Sequence, residues 1–302
     1  MHVHRSTEGL VVQAPAKLNL FFEVLDKRPD GYHEIETLVY PIDLYDTLVF
    51  REDSSEQVEL GCDQGSGTWA SRGLGLNDLP TGRQNLVIRA VELLRERAGL
   101  DRGLTVRLVK RIPSAAGLGG GSSDAAAALA AANVAWNLGW SPTHLAELGA
   151  ELGSDVPLFF AQGPAVCRGR GERVEAAPGL AALNFVVVRP PAGLSTAAVY
   201  QTCRVPGAPE SVVTLVKALM EGRLAAAGQR FFNRLQSAAE RLSPWIARLR
   251  DEFARTDCLG HQMSGSGTCY FGLFRSPRHA RRAARCLGAR AVGQAYAVRG
   301  SR

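Results

Sequence analysis

The sequence predicts a soluble protein of mixed α and β structure, and three observations carry that expectation. The chain has 302 residues, more than one hydrophobic core ordinarily organises, so its length favours two domains or one large α/β unit. It is 46% hydrophobic and 21% charged, the balance of a globular chain that buries a sizeable core, not of a disordered or collagen-like one. The pattern along the chain also changes after Gly163, where a helical stretch gives way to strand-like runs around Arg168 and Arg189. That change divides the chain into residues 1–164 and 165–302.

Residues 10–25, LVVQAPAKLNLFFEVL, are rich in β-branched and aromatic residues and alternate around Lys17 and Asn19, which predicts a strand or hairpin pair. Pro15 argues for an edge or a bulge near Lys17. Pro29-Asp30-Gly31 is a turn signal followed by two more strand-like runs, so the chain opens as a β-meander. Residues 62–84 are rich in Gly, Ser and Asp and read as a surface excursion. Asn85 caps a predicted helix through Arg97, because Leu86, Ala90, Leu93 and Leu94 recur at helical spacing. Residues 104–112 alternate as a strand and enter the glycine-rich segment that begins at Pro113; an alanine-rich helix is predicted over 125–138. A further helix over 141–152 ends at Gly153, and Ser154-Asp155-Val156-Pro157 has the cap-then-proline form of another helix start. Beyond 165 the pattern predicts strands over 165–168, 185–189, 269–274 and 289–298, with helices over 211–221, 238–255 and 277–287.

Thirty-five Lys and Arg against 29 Asp and Glu leave a net charge of +6. Only four of the basic residues are lysines, and no run of five or six basic residues occurs, so the surplus reads as solvated surface or as a mild pull on anionic substrates. The six cysteines form no C-x-x-C pair and no Cys/His cluster, which gives a zinc or redox site no support. No secretory signal and no apolar window of membrane-spanning length is present. The expected setting is the cytoplasm, with free thiols and no membrane contact.

A strand, then Gly117-Leu118-Gly119-Gly120-Gly121-Ser122-Ser123, then a helix is an anion-binding construction. Amides without side chains close on phosphate oxygens, and the helix N-terminus supplies about half a positive charge. No Gly-Lys-Ser/Thr ends the loop, so it is not a P-loop; no strand-borne acid follows about 20 residues on, as a dinucleotide fold needs. The bland alternative, a tight strand-to-helix turn, explains one or two glycines and not four with two serines. Ser122 or Ser123 can give a hydroxyl to a phosphate oxygen or Mg²⁺, or cap the helix; Asp124 reads as a first-turn helix acid. Phosphoryl transfer also needs charge at the acceptor. Lys17 and Asp155 are ionisable residues in otherwise apolar surroundings: an Asp can accept a hydroxyl proton and a Lys can stabilise alkoxide and phosphate. Read singly, Lys17 is an edge-strand lysine and Asp155 a helix N-cap.

Three blocks, Ala14-Pro15-Ala16-Lys17-Leu18-Asn19-Leu20 with Arg28-Pro29-Asp30-Gly31-Tyr32-His33, residues 113–124, and Ser264-Gly265-Ser266-Gly267-Thr268, resemble the GHMP kinase family. That resemblance implies an α+β fold of two domains, a ribosomal-protein-like N-terminal one and a ferredoxin-like C-terminal one, with the active site in the cleft between them. It further implies ATP-dependent phosphorylation of the 2-hydroxyl of 4-diphosphocytidyl-2-C-methyl-D-erythritol in the non-mevalonate isoprenoid route, with Mg²⁺ accompanying ATP. By the same resemblance Lys17 and Asp155 are the catalytic pair. Pro113, Ala115, Gly117, Leu118, Gly119, Gly120, Gly121, Ser122 and Ser123 hold the ATP phosphates, with Ser123 also a candidate Mg²⁺ contact. Asn19, Tyr32, His33, Thr196, Tyr200, Gly265 and Ser266 are expected at the acceptor substrate, where the aromatic rings stack on the base. The partners implied are these two small molecules, without nucleic acid or membrane, on a monomer or weak homodimer. Two other readings stand beside it: a family kinase with a homoserine, mevalonate or sugar acceptor, and a non-catalytic nucleotide- or nucleic-acid-binding module. The chain departs from the family pattern at Asn233-Arg234-Leu235-Gln236, where Asn-Asp-Leu-Glu is usual, and in the length of the 62–83 stretch.

Overall fold

The computed structural model describes residues 1–53, 55–64 and 80–301. The core of the excursion foreseen over 62–84, residues 65–79, therefore lies outside the described residues. By contact the chain forms two compact units that interleave along the sequence: Met1–Ala16, Leu44–Ser114 and Gly119–Gln162 make one, and Lys17–Asp43, Ala115–Leu118 and Gly163–Arg302 the other. Among the described residues no helix is long and apolar enough to cross a membrane, and the six cysteines are free.

In the first unit, β1 (His2–Ser6) forms a hairpin with the start of β2 (Gly9–Lys27), Ser6 opposite Gly9. Gly9 has φ +128°, and a Cβ there would overlap the Phe50 carbonyl oxygen, so the turn requires glycine. The latter part of β3 (His33–Asp53) pairs antiparallel with β5 (Gly103–Lys110), and β4 (Val58–Gln64) pairs parallel with β5. Among the described residues the unit also holds three α-helices, α1 (Leu86–Ala98), α2 (Gly120–Ala135) and α3 (Pro142–Leu152). Asn85 caps α1 as predicted, its side chain accepting from the Val87 amide at 2.9 Å, and Gly99 closes it at φ +63°. Helix α2 packs against both α1 and α3, and its Ala125, Ala126, Ala127, Ala128 and Leu129 are fully buried. A helix apolar on all sides belongs inside.

Helix α2 begins five residues earlier than its alanines suggest. Glycines cost a helix interior about 1 kcal/mol each, but a Cβ on Gly120 would lie 2.8 Å from Ile112 Cγ2 and 3.0 Å from Lys110 Nζ. Close packing of the helix start outweighs propensity. The predicted helix at Ser154–Pro157 is instead a short 3₁₀ turn, Pro157–Phe160, with Val156 and not Asp155 at its N-cap position.

In the second unit, residues 33–39 of β3 pair with β6 (Ala165–Gly169), which pairs with β7 (Arg173–Ala176). The two strand-like runs foreseen after the Pro29-Asp30-Gly31 turn are one continuous strand, β3. Pro41 lacks only a donor, and its carbonyl still accepts from Ser301 N at 2.9 Å. After β8 (Asn184–Arg189) come α4 (Thr196–Thr202), α5 (Val213–Met220) and α6 (Leu224–Gly228), then β9 (Phe232–Asn233), which runs parallel to β2. The predicted helix over 238–255 is two helices, α7 (Gln236–Leu242) and α8 (Pro244–Ala254), because Ser243 is extended before Pro244 at the first position of α8. Strands β10 (Gly260–Met263) and β11 (Tyr270–Phe274), helix α9 (Pro277–Ala289) and β12 (Gln294–Arg299) finish the chain. The last strand starts five residues later than foreseen. An antiparallel sheet of order β10-β11-β8-β12 carries α8 and α9, and Val186, Val188, Tyr270, Leu249, Phe253 and Leu287 pack in its core.

Candidate active site

Strand β2 is buried from Ala14 through Val24, so Lys17 and Asn19, two positions apart on one face, are only 4% and 2% exposed. A buried polar group must be satisfied, and Asn19 is satisfied from every side. Its Oδ1 accepts from Lys17 Nζ at 2.6 Å, and its Nδ2 donates to Thr37 Oγ1 at 2.9 Å, which in turn donates to the Phe21 carbonyl at 2.6 Å. Its backbone amide donates to Ser264 Oγ at 3.2 Å, and its carbonyl accepts from Gln262 Nε2 at 2.7 Å. These bonds fix the direction in which the Lys17 ammonium is presented.

The segment Ala115–Leu118 belongs to the same unit and is tied to the same residues. Lys17 N donates to the Leu118 carbonyl at 2.9 Å, Cys269 N to the Ala116 carbonyl at 3.0 Å, and Ser264 Oγ to the Gly117 carbonyl at 3.0 Å. Gly117 has φ +73°, and a Cβ there would overlap the Ser264 carbonyl oxygen. Ala115 is held at φ +50°, a left-handed conformation that disfavours a residue with a Cβ. Gly265, at φ +55°, leaves open the space beside the pair: a Cβ on it would sit 3.0 Å from Asn19 Oδ1 and 3.4 Å from Lys17 Nζ. Asn233 Nδ2 supports this backbone by donating to the Met263 and Gly265 carbonyls at 2.8 Å each. Thr37, Asn233, Gln262 and Ser264 are thus parts of the cluster that motif reading did not single out. Ser264 and Asn233 lie inside recognised motifs, which is the signal that was there; Thr37 and Gln262 carry none.

The rest of the glycine run opens α2 in the first unit. Gly119 precedes the helix at φ +68° without a side-chain cap bond, so neither Ser122 nor Ser123 caps it. Ser123 is fully buried, and its Oγ has no hydrogen-bond partner among the described residues. Beneath this helix start, Lys110 Nζ donates to Asp124 Oδ2 at 2.7 Å and to Asp46 Oδ2, and Asp46 Oδ1 accepts from the Ile112 amide at 2.8 Å. Asp124 is therefore a buried hydrogen-bond partner of Lys110, where the sequence suggested a first-turn acid. Burial, and then the second carboxylate at Asp46, push its carboxyl up to about 8 against the pull of Lys110. Burial opposes the Lys110 charge, but the two carboxylates outweigh it and hold the ammonium above its ordinary range. Pro113 is buried ahead of the loop, and Asp155 stands half-buried in the same unit, between α3 and the 3₁₀ turn.

A second cluster in the second unit surrounds the Arg28–His33 turn. Gly31 at φ +87° and the Arg28 amide, which donates to the Tyr32 carbonyl at 2.8 Å, close it. The His33 ring lies 5.0 Å from the Tyr200 ring of α4 at a 30° tilt, and Thr196 Oγ1 at the head of α4 is 2.9 Å from Ser266 Oγ. Burial, and then Lys27, lower the His33 pKa. The imidazole is consequently neutral at neutral pH, with one donor and one acceptor nitrogen. The structure thus joins Lys17, Asn19, Gly117, Leu118 and Gly265 in one cluster and links His33 to Tyr200 and Thr196 to Ser266. The departures at 234 and 236 also acquire partners. Arg234 Nε and Nη2 each lie 2.8 Å from the fully buried Glu23 carboxylate, and Gln236 Oε1 accepts from Met263 N at 3.0 Å.

Family models described as GHMP kinases N terminal domain and GHMP kinases C terminal match residues 85–163 and 215–293. The chain belongs to the GHMP kinase family, whose two-domain α+β fold it has, and it is an ATP-dependent small-molecule kinase. Within that family it is similar to 4-diphosphocytidyl-2-C-methyl-D-erythritol kinases. It is 43% identical to the one from Pelotomaculum thermopropionicum, over 90% of this chain and 91% of that one, and 36% identical to the one from Alkaliphilus metalliredigens, over 88% of each. A solved structure of 4-(cytidine 5'-diphospho)-2C-methyl-D-erythritol kinase matches 97% of this chain and 100% of its own, with a TM-score of 0.79 at 37% identity. A homoserine kinase from Cytophaga hutchinsonii shares the fold alone, with a TM-score of 0.74 at 18% identity, over 100% of this chain and 97% of that one.

Proposed function

We propose that this kinase transfers the γ-phosphoryl group of ATP to the 2-hydroxyl of 4-diphosphocytidyl-2-C-methyl-D-erythritol, giving the 2-phosphate and ADP in the methylerythritol phosphate route. The observation that carries this reading is the Lys17–Asn19–Gly265 cluster beside the glycine loop, with the relatives of the same activity as support. In the proposed reaction Asp155 accepts the hydroxyl proton, the oxygen forms a bond to the γ-phosphorus, and the bond from that phosphorus to the β-γ bridging oxygen breaks as ADP leaves. Lys17, aimed by Asn19, stabilises the alkoxide and the transferring group. Amides of residues 117–121 and the N-terminus of α2 receive the phosphates, with Pro113, Ala115, Ser122 and Ser123 shaping the loop. Asn19, Gly265, Ser266 and Thr196 border the acceptor's hydroxyl end, while Tyr32, His33 and Tyr200 take the cytosine by stacking and by the neutral imidazole.

Among the described residues no three His, Cys, Asp or Glu side chains group as a metal cage. The Ser123 hydroxyl, which has no hydrogen-bond partner among the described residues, is the group that would add an oxygen to a nucleotide-bound Mg²⁺. The ion would neutralise charge on the phosphates. Residues 1–164 and 165–302 are proposed as the two domains, in the cytoplasm, with monomer or weak homodimer as the proposed assembly. ADP release with this acceptor, homoserine, mevalonate and a sugar offered in parallel tests the reading. Turnover confined to the cytidine diphosphate acceptor is expected; preference for another overturns the assignment, and salt-sensitive RNA binding without any turnover overturns catalysis itself.

A further inference from the structure

The turn between β6 and β7 is Gly169-Arg170-Gly171-Glu172, and its backbone is specialised. Gly169 and Gly171 have φ of +74° and +119°, and a Cβ on Gly169 would overlap the Glu172 carboxylate. That carboxylate accepts from the Arg170 amide at 2.6 Å. The result is to lay the Arg170 guanidinium over the ring of Tyr32, with Cζ 4.8 Å from the centroid. Tyr32 is 53% exposed, high for an aromatic residue, while its backbone is pinned by Asp30 Oδ1, which accepts from the Tyr32 amide at 3.1 Å.

The neighbouring arginines are neutralised. Arg28 pairs with Asp30 and Glu34, Arg168 with Glu36 and Glu175, and Arg173 with Glu34. Arg170 has the Tyr32 face and, among the described residues, no carboxylate within ion-pair distance; the Asp30 carboxylate feels its charge but is itself paired with Arg28. A half-buried guanidinium with one face on an aromatic ring keeps its planar fork of donors for a bidentate anion such as a phosphate.

We propose that Arg170 is a specificity-determining residue for the nucleoside diphosphate end of the acceptor: seated on the Tyr32 ring, it directs its charge at the diphosphate. This rests on the acceptor proposed above. Inhibition by CDP and by cytidine, each competing with the acceptor, is measured for the wild type, Arg170→Gln and Arg170→Lys, together with kcat and both KM values. Loss of one charge-assisted contact should weaken CDP about tenfold in Arg170→Gln, with cytidine changed less than threefold. The acceptor KM rises in parallel, kcat and the ATP KM stay level, and Arg170→Lys recovers part of the loss. Equal weakening of CDP and cytidine, or unchanged CDP inhibition in Arg170→Gln, overturns the inference alone. A wild type that binds neither compound overturns the acceptor assignment, and this inference with it.

Discussion

In the proposed reaction phosphoryl transfer asks for two ionisable side chains, Lys17 and Asp155. An ammonium 4% exposed in an apolar strand needs a polar partner, and Asn19 supplies one at 2.6 Å while itself being held by Thr37, Gln262 and Ser264. Lys17→Met and Asp155→Asn are each expected to lower kcat by about 10²-fold or more, as loss of a charge stabiliser or a base should. Steady-state turnover on variants shown to be folded by circular dichroism checks this. Glu23 makes the complementary case for structure. Its buried carboxylate accepts from the Val24 and Glu210 amides at 2.8 Å each and from Arg234 through two nitrogens. Arg234→Ala strands that charge, so unfolding should become easier by about 3 kcal/mol, read from urea denaturation, with kcat little changed. The arginine that replaces the family's usual acid is thus a structural counter-ion, which no local pattern around residue 234 announces.

Helix α2 joins a sequence-legible motif to a buried charge cluster that the sequence hides. The glycine run and the alanines after it mark the helix start proposed to receive phosphates, but the first helical residue is set by how closely Gly120 packs on Ile112 and Lys110. The Lys110–Asp46–Asp124 cluster beneath it links positions 64 and 14 residues apart. It makes stability depend on pH. Asp124 has its folded pKa raised to about 8, whereas an unfolded Asp titrates near about 3.9. The folded state therefore holds the extra proton. Stability from this group is fully present below pH ~4 and is lost as pH rises toward ~8, with a slope of at most about 1.4 kcal/mol per pH unit. Asp124→Asn carries the neutral form permanently and should flatten that slope in thermal melts between about pH 5 and 8; an unchanged slope would place the proton elsewhere.

At the scale of the molecule, the net charge of +6 is spread over arginines many of which face carboxylates, as in Arg97–Glu151, Arg107–Asp63 and Arg250–Glu240. Attraction of polyanionic substrates is correspondingly weak. Raising ionic strength from about 0.05 to 0.5 M should lower kcat/KM by less than about tenfold, measured as initial rates against added potassium chloride; a steeper fall would mean that unpaired cations dominate substrate capture. Much of the fold was readable because its signals are local: alternation around Lys17, the Asn85 cap, the Pro29-Asp30-Gly31 turn and the glycine loop each rest on neighbours a few residues apart. Periodicity and turn chemistry therefore sufficed for the mixed α and β class, and they mark the glycine loop and the polar residues that the proposed function uses. Other features depend on contacts between distant positions. The start of α2 at Gly120, the passage of β3 through Pro41, the Glu23–Arg234 pair, and the hold of Thr37, Gln262 and Ser264 on Asn19 arise only when segments up to 245 residues apart come within hydrogen-bond reach. Packing and charge satisfaction across such separations have no sequence period, which is why folding alone decided them.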